Sequence, residues 1–263
     1  MGCLLFFLFC MTKNSLRSGS QESSGPRVWR WVVKFTLKLY LRYSRTLATA
    51  SVRSLRQEMS VTARTESTRE RILSVAESII LNNGFSGTSI DDIIKNAAIT
   101  KGGFFYHFNG KKELAKALVE RYLEQDNRIF EELFFASDQD SDDPLKQIIG
   151  FLDRFATMVE NLDETHPGCL VAGFTYESQQ FDEEVQDLIK QGVLVWRKLF
   201  QLRLERASEQ YSLQTDISIT AIADMFTSCV EGGIILSRIF KSNDALVQQV
   251  QLYREFLRLA FVA

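Results

Sequence analysis

The chain has 263 residues, of which 45% are apolar and 24% charged; these are ordinary globular proportions and exclude a chain disordered throughout. Four cysteines are too few for a disulfide scaffold, and 14 glycines and 3 prolines are few for a protein that must turn often between strands, so the composition points to helices. The net charge of −2 conceals two unlike parts: residues 1–58 hold ten Lys/Arg against two Asp/Glu, a sum of +8, while the rest hold twenty-one against thirty-one, a sum of −10.

Within residues 1–58 the apolar run from Cys3 to Met11 is nine residues, about half of a membrane-spanning helix, and no basic residue precedes it as a secretory signal would require. The Met-Gly-Cys start lacks the hydroxyl residue that an acylation signal wants at position 6, where Phe6 stands. From Arg27 to Arg45 the residues Arg27, Arg30, Lys34, Lys38, Arg42 and Arg45 recur at steps of three and four, a basic stripe on a helix otherwise rich in Trp, Val, Phe and Leu. Two readings of this segment stand. One is a membrane-surface or protein-interaction module; the other, which the charge break and a second start at Met59 favour, is that residues 1–58 are not part of the working protein.

The next stretch is patterned as short helices. Ser67-Thr68-Arg69-Glu70 is a capping box, followed by Ile72, Val75, Ala76, Ile79 and Ile80 at helical spacing and closed by Asn83-Gly84. Phe85 should then plug the core. Thr88-Ser89-Ile90-Asp91 repeats the capping logic ahead of Ile90, Ile93, Ile94 and Ala97. Ala98-Ile99 makes a tight turn. Thr100 caps a third, very short helix in which Phe104, Phe105 and Phe108 should face inward, and Lys111-Lys112-Glu113-Leu114 opens a long fourth helix. Helix, tight turn, short helix is the helix-turn-helix unit, whose second helix enters the major groove.

The string Gly84-Phe85, Thr88-Ser89-Ile90, Ala98 to Phe108 and Lys111 to Leu114, at these spacings, resembles the DNA-binding domain of the TetR family of bacterial transcriptional regulators. The resemblance implies a homodimer on palindromic double-stranded operator DNA, an unidentified small-molecule effector, no cofactor and a bacterial cytoplasmic location. Residue type then suggests roles. Thr100, Lys101, Gly102 and Gly103 sit where the helix meets the groove. Tyr106, His107 and Lys111 are candidates for phosphate, with Ser89 or Thr88 on the other flank; for Thr88 and Thr100 capping alone, and for His107 plain packing, are the alternatives. The family usually has Gly at Ala98 and Tyr at Phe105, so Ala98 should strain the turn and Phe105 lacks a hydroxyl for phosphate.

From Leu114 onward the pattern is helical to the end: Leu114–Phe135, Leu145–Glu160, Pro167–Glu177, Phe181–Ala207, Ile217–Phe240 and Leu246–Phe261. The fold class expected is all-α, with residues 59–113 as the DNA-binding head and 114–263 as an effector-binding and dimerisation bundle. Asp138 to Asp143 reads as a solvated acidic loop rather than a calcium loop, because the sixth and twelfth positions lack the Gly and Glu it needs. With two histidines, no metal-ligand spacing and no phosphate-cradling glycine loop, neither an enzyme nor a metal site is expected. The last two helices are those the family uses to dimerise; Gly232-Gly233 either lets helices approach or loosens a turn. Phe151, Phe155, Met158, Phe174, Tyr176 and Phe200 are candidates to line a pocket for an apolar or aromatic effector, with core packing the alternative at each. Cys169, in a Gly-Cys-Leu run found in a subset of the family, is a candidate sensor of oxidants or electrophiles, with a buried inert thiol the alternative.

Overall fold

The computed structural model describes residues 67–262, so the basic stripe, the Met59 start and the boundary at residue 58 lie outside the described residues. Helix α1 (Thr68–Asn83) begins at Ser67, whose hydroxyl accepts the Glu70 N–H at 3.2 Å, and ends at Gly84, whose φ of 76° closes the helix with an N–H to the Ile80 carbonyl. It buries Ile72, Leu73, Ala76 and Ile80. Helices α2 (Ile90–Asn96) and α3 (Lys101–His107) follow, and then α4 (Lys111–Asp140) runs for 30 residues, about 45 Å, out of the head and into the body.

The body is built around α4. Asp143 caps α5 (Pro144–Glu160) through the Leu145 and Lys146 N–H groups, with Pro144 in the first turn where its missing N–H costs nothing. Its Ile148, Phe151, Leu152, Phe155 and Val159 recur at steps of three and four and are all buried. Helix α6 (Leu170–Tyr176) and a 3₁₀ turn (Ser178–Gln180) lead to α7 (Glu183–Ser208), which packs against α4, α5 and α8. Helices α8 (Ile219–Phe240) and α9 (Asp244–Ala260) form an antiparallel pair that lies on α5. The all-helical expectation meets one small exception, an antiparallel pairing of β1 (Ser212–Leu213) with β2 (Phe261–Val262).

Aromatic rings fill the centre. Phe134 stacks on Phe151 at 3.9 Å, Phe200 on Phe226 at 4.2 Å, and Phe130 meets both groups edge-on. Tyr253, fully buried, donates its hydroxyl to the Ile222 carbonyl at 2.9 Å and so ties α9 to α8. Residues Asp138 and Asp140 turn out to be helical rather than part of a loop, since α4 continues through Asp140. The two acidic groups in the last turn of α4 oppose the helix dipole. Arg154 pairs with Asp140, Arg203 reaches Asp138 at 3.6 Å, and Asp143 is spent as the cap of α5.

Helix α8 is long and apolar enough to cross a bilayer by length and composition. Its apolar residues divide between two sides: Ile222, Ala223, Phe226 and Ile234 are buried within the body, whereas Ile235, Ile239 and Phe240 are exposed, as are Leu252 and Leu259 on α9. Gly233 is the member of the glycine pair that lets helices approach: a Cβ there would stand 2.8 Å from the Leu246 Cα, while one on Gly232 meets nothing within 4 Å. Replacing Gly233→Ala must push the α9 backbone away and should cost about 1–3 kcal/mol in chemical denaturation, with Gly232→Ala close to neutral.

Candidate nucleic-acid interface and effector cavity

The turn between α2 and α3 is set by caps and by one strained residue. Ser89 starts α2 with a reciprocal capping box: its hydroxyl accepts the Asp92 N–H at 3.0 Å, and Asp92 accepts the Ser89 N–H at 3.2 Å. These bonds also hold the Asp92 carboxyl below its ordinary range. The box therefore lies one residue beyond Thr88-Asp91. Thr88 is 1% exposed and donates its hydroxyl to the Gly84 carbonyl, so it is a packing residue and not a phosphate contact. Ala98 adopts φ 50°, the left-handed region that costs a residue with a Cβ. Thr100 then caps α3 by accepting the Gly103 N–H at 3.0 Å.

Phe104 and Phe108 are buried and anchor α3 from beneath. Phe105 does not join them: at 43% exposed it stands on the outer face beside Lys101, Gly102 and Tyr106, the last 84% exposed. Phe104 and Phe108 are four residues apart, about one turn, and so share the buried side, whereas Phe105 is one step from Phe104 and turns about 100° off it. Among the described residues a Cβ at Gly102 would meet nothing within 4 Å, which leaves the backbone open there. His107 is half-buried, its ring edge-on to Tyr106 at 4.9 Å.

Lys111 departs from expectation. Its ammonium donates to the Phe85 carbonyl and lies 4.2 Å over the Phe85 ring, so it is held by the fold rather than offered to phosphate. Burial pushes its pKa down, against the pull of Glu177. Lys112 and Lys95 are exposed cations of the head that the sequence reading did not place at the interface. Glu177, at the end of α6, accepts the Phe85 N–H at 2.7 Å and the Ser86 N–H at 2.8 Å, together with the Ser86 hydroxyl. Burial acts to raise the Glu177 carboxyl, but these bonds and the Lys111 charge outweigh it and hold it below the usual range. Arg238 of α8 adds a second tie, donating to the Leu81 carbonyl at 3.0 Å and the Pro167 carbonyl at 2.6 Å.

A cavity of about 260 Å³ opens in the body between α4, α5, α7 and α8. Phe155, Met158 and Cys169 line it, as the sequence suggested. Phe151, Phe174 and Phe200 do not; they are buried in the packed core around it. Tyr176 is 78% exposed and borders a separate depression beside Gly84 and Arg238. The wall is completed by residues the sequence reading missed: Tyr122, Asp126 and Phe130 along one stripe of α4, Trp196 of α7, and Phe226 and Glu231 of α8. Cys169 does stand at the start of α6 and accepts the Ala172 N–H at 3.4 Å. The helix end does not make it a thiolate, however. Burial, then the Glu231 charge, pushes its thiol up to about 12.

An outward short helix on a capped turn, joined by a long helix to a body with an aromatic cavity, defines a helix-turn-helix transcriptional regulator. Residues 72–118 match the family described as bacterial regulatory proteins, tetR family, and residues 144–253 match the tetracyclin repressor-like C-terminal domain. The chain belongs to the TetR family. It is 24% identical to the HTH-type transcriptional repressor DhaR of Mycobacterium sp. strain GP1, over 72% of this chain and 91% of that protein. It is 26% identical to the HTH-type transcriptional repressor NemR of Escherichia coli K12, over 56% of this chain and 71% of that protein. Among solved structures, a TetR-family regulator from Agrobacterium tumefaciens shares the fold with a TM-score of 0.62 at 22% identity, covering 74% of this chain and 98% of that one. The reduced form of E. coli NemR does so with a TM-score of 0.59 at 21% identity, covering 72% and 95%.

Two predictions follow from this geometry. Ala98→Gly relieves the left-handed strain and should raise stability by about 1 kcal/mol in thermal denaturation. Glu177→Gln should lower stability at pH 7 by about 1–2 kcal/mol, since the charged acceptor of two backbone N–H groups is lost. Because the folded Glu177 carboxyl is depressed, its contribution is present above the unfolded pKa and lost as pH falls through the folded one; the gap between wild type and variant should therefore shrink below about pH 4.

Proposed function

We propose that the protein is an effector-released repressor acting as a homodimer. Two copies of α3 sit in successive major grooves, about 34–36 Å or a multiple apart, so the operator is palindromic. The observation that carries this reading is the outer face of α3: Lys101, open backbone at Gly102, Phe105 and Tyr106 all face solvent while Phe104 and Phe108 hold the helix from below. Lys101 suits a guanine edge or a phosphate, and Phe105 suits the methyl of thymine. Thr100 and Gly103 position the helix end, Ser89 and His107 lie on the flanks, and Lys112 takes the phosphate role first assigned to Lys111. From Ser60 to Lys112 the charge sums to only +2, seven Lys/Arg against five Asp/Glu, which makes one head a weak binder and favours the paired arrangement.

Dimerisation is assigned to the exposed apolar faces of α8 and α9, where Ile235, Ile239, Phe240, Leu252 and Leu259 stand uncovered. Repression, rather than activation, is supported by the names of DhaR and NemR as repressors. We read the protein as a regulator and not an enzyme, working in the bacterial cytoplasm, with residues 59–113 as head and 114–263 as body.

The effector enters the aromatic cavity. Tyr122 and Asp126 of α4 line it, and Lys111, at the start of the same helix, lies about 17–23 Å away along the axis at the head. Cys169 lines it too, at the start of the helix that ends beside Glu177. A ligand that displaces either helix therefore moves the Phe85–Ser86 turn on which the head rests. Linkage requires that it bind the displaced form better. A thiol-reactive effector would use the same cavity, reaching the Cys169 sulfur from within it.

Selection of bound sequences from random DNA with the full chain should enrich a palindrome, and Lys101→Ala should weaken binding to it by about 1–3 kcal/mol per head. Recovery of no symmetric site, or unchanged affinity for the Lys101→Ala protein, contradicts the assignment.

A further inference from the structure

The charges on the cavity wall narrow the class of effector. Asp126 of α4 and Glu231 of α8 both face a space otherwise walled by Phe130, Phe155, Trp196 and Phe226. Among the described residues neither carboxylate forms an ion pair with any Lys or Arg. Two carboxylates without a cationic partner in a largely apolar enclosure, Glu231 accepting from the Cys169 thiol, are an unfavourable arrangement that a bound positive charge relieves. Trp196 is only 6% exposed, and among the described residues its indole N–H has no hydrogen-bond partner. Aromatic faces attract cations as well.

We propose that the effector is a lipophilic organic cation, an aromatic or alkyl ammonium whose charge lies between Asp126 and Glu231 and whose apolar body rests on Phe155 and Trp196. This rests on the reading of the cavity as the effector site and makes it chemically specific. An anion would meet two carboxylates, and His166, the basic side chain on the wall, has its pKa lowered by burial and then by Arg238. An electrophile would meet a protonated Cys169.

The charge placement carries a pH signature. Burial, then Glu77 and Glu231, pushes Asp126 up to about 7, and burial raises Glu231 as well. The groups facing Asp126 are Glu77 of α1, itself paired with Arg121, Glu231 of α8, and Tyr122 on its own helix beside Cys169. His166 with Arg238 stands at the rim, and α5 and α7 present uncharged side chains. A bound cation lowers the Asp126 pKa, so binding expels the proton it carries. Affinity therefore rises with pH up to about 8 and falls below 7, and protonation of His166 acts in the same direction.

The test is calorimetric titration of the full chain with three probes of one size: benzyltrimethylammonium, its neutral carbon isostere neopentylbenzene, and phenylacetate. The cation should bind at least about ten-fold tighter than the other two, and about ten-fold tighter at pH 8 than at pH 5.5. Asp126→Asn with Glu231→Gln should abolish both preferences while circular dichroism stays unchanged. The pH series on the unaltered protein stands even if a variant fails to fold. Equal or tighter binding of the neutral or anionic probe overturns the cation assignment and leaves the cavity as effector site. Failure of all three probes to bind overturns both.

Discussion

The burial of Phe104 and Phe108 is the constraint on which the rest depends. A helix of seven residues has no stability of its own, and α3 exists because these two rings, one turn apart, are driven out of water into the head. Their position fixes which residues face outward. Thr100 and the left-handed Ala98 determine where the helix begins, and the anchor determines how it is rotated. An exposed Lys101 and Tyr106 follow from that rotation rather than from any preference of their own.

Polar contacts hold the head to the body, among them those of Arg121 of α4, which reaches Ser74 and Glu77 of α1. Glu177 grips the Phe85–Ser86 turn from α6, Lys111 grips the same turn from α4, and Arg238 grips the end of α1 from α8. Each of these three helices also contributes to the cavity or begins at its wall. The geometry suits a device in which small displacements of the body change the angle of the head, since packed aromatic cores shift between arrangements rather than deform smoothly. The two cavity carboxylates then serve as the contact through which a ligand of the right charge alters that packing.

Much of the fold could be read from the residues. Hydroxyls and carboxylates at helix starts marked Ser67 and Thr100, Gly84 marked a stop, and apolar spacing of three and four marked every long helix of the body. What could not be read was depth. Thr88 and Ser89 are both good caps, and only the burial of Thr88 decides between them. Phe105 looks like its neighbours in type, yet helical rotation exposes it. Lys111 and Lys112 are indistinguishable in the sequence until the first is captured by the Phe85 carbonyl. Phe155 lines the cavity while Phe151, one turn earlier, fills the core. A signal for the missed wall was present: Asp126 interrupts the Tyr122–Phe130 stripe of α4, and Glu231 interrupts the apolar run of α8. Each is a charge on a face that otherwise buries.

The central claim is that two copies of α3 read one duplex symmetrically. Hydroxyl-radical footprinting of the full chain on a selected site, with the stoichiometry measured in parallel, tests it most directly. The account predicts two chains per duplex and protection related by a two-fold axis, with half-sites about 10 base pairs or a multiple of that apart. A single unsymmetric footprint made by one chain would contradict it.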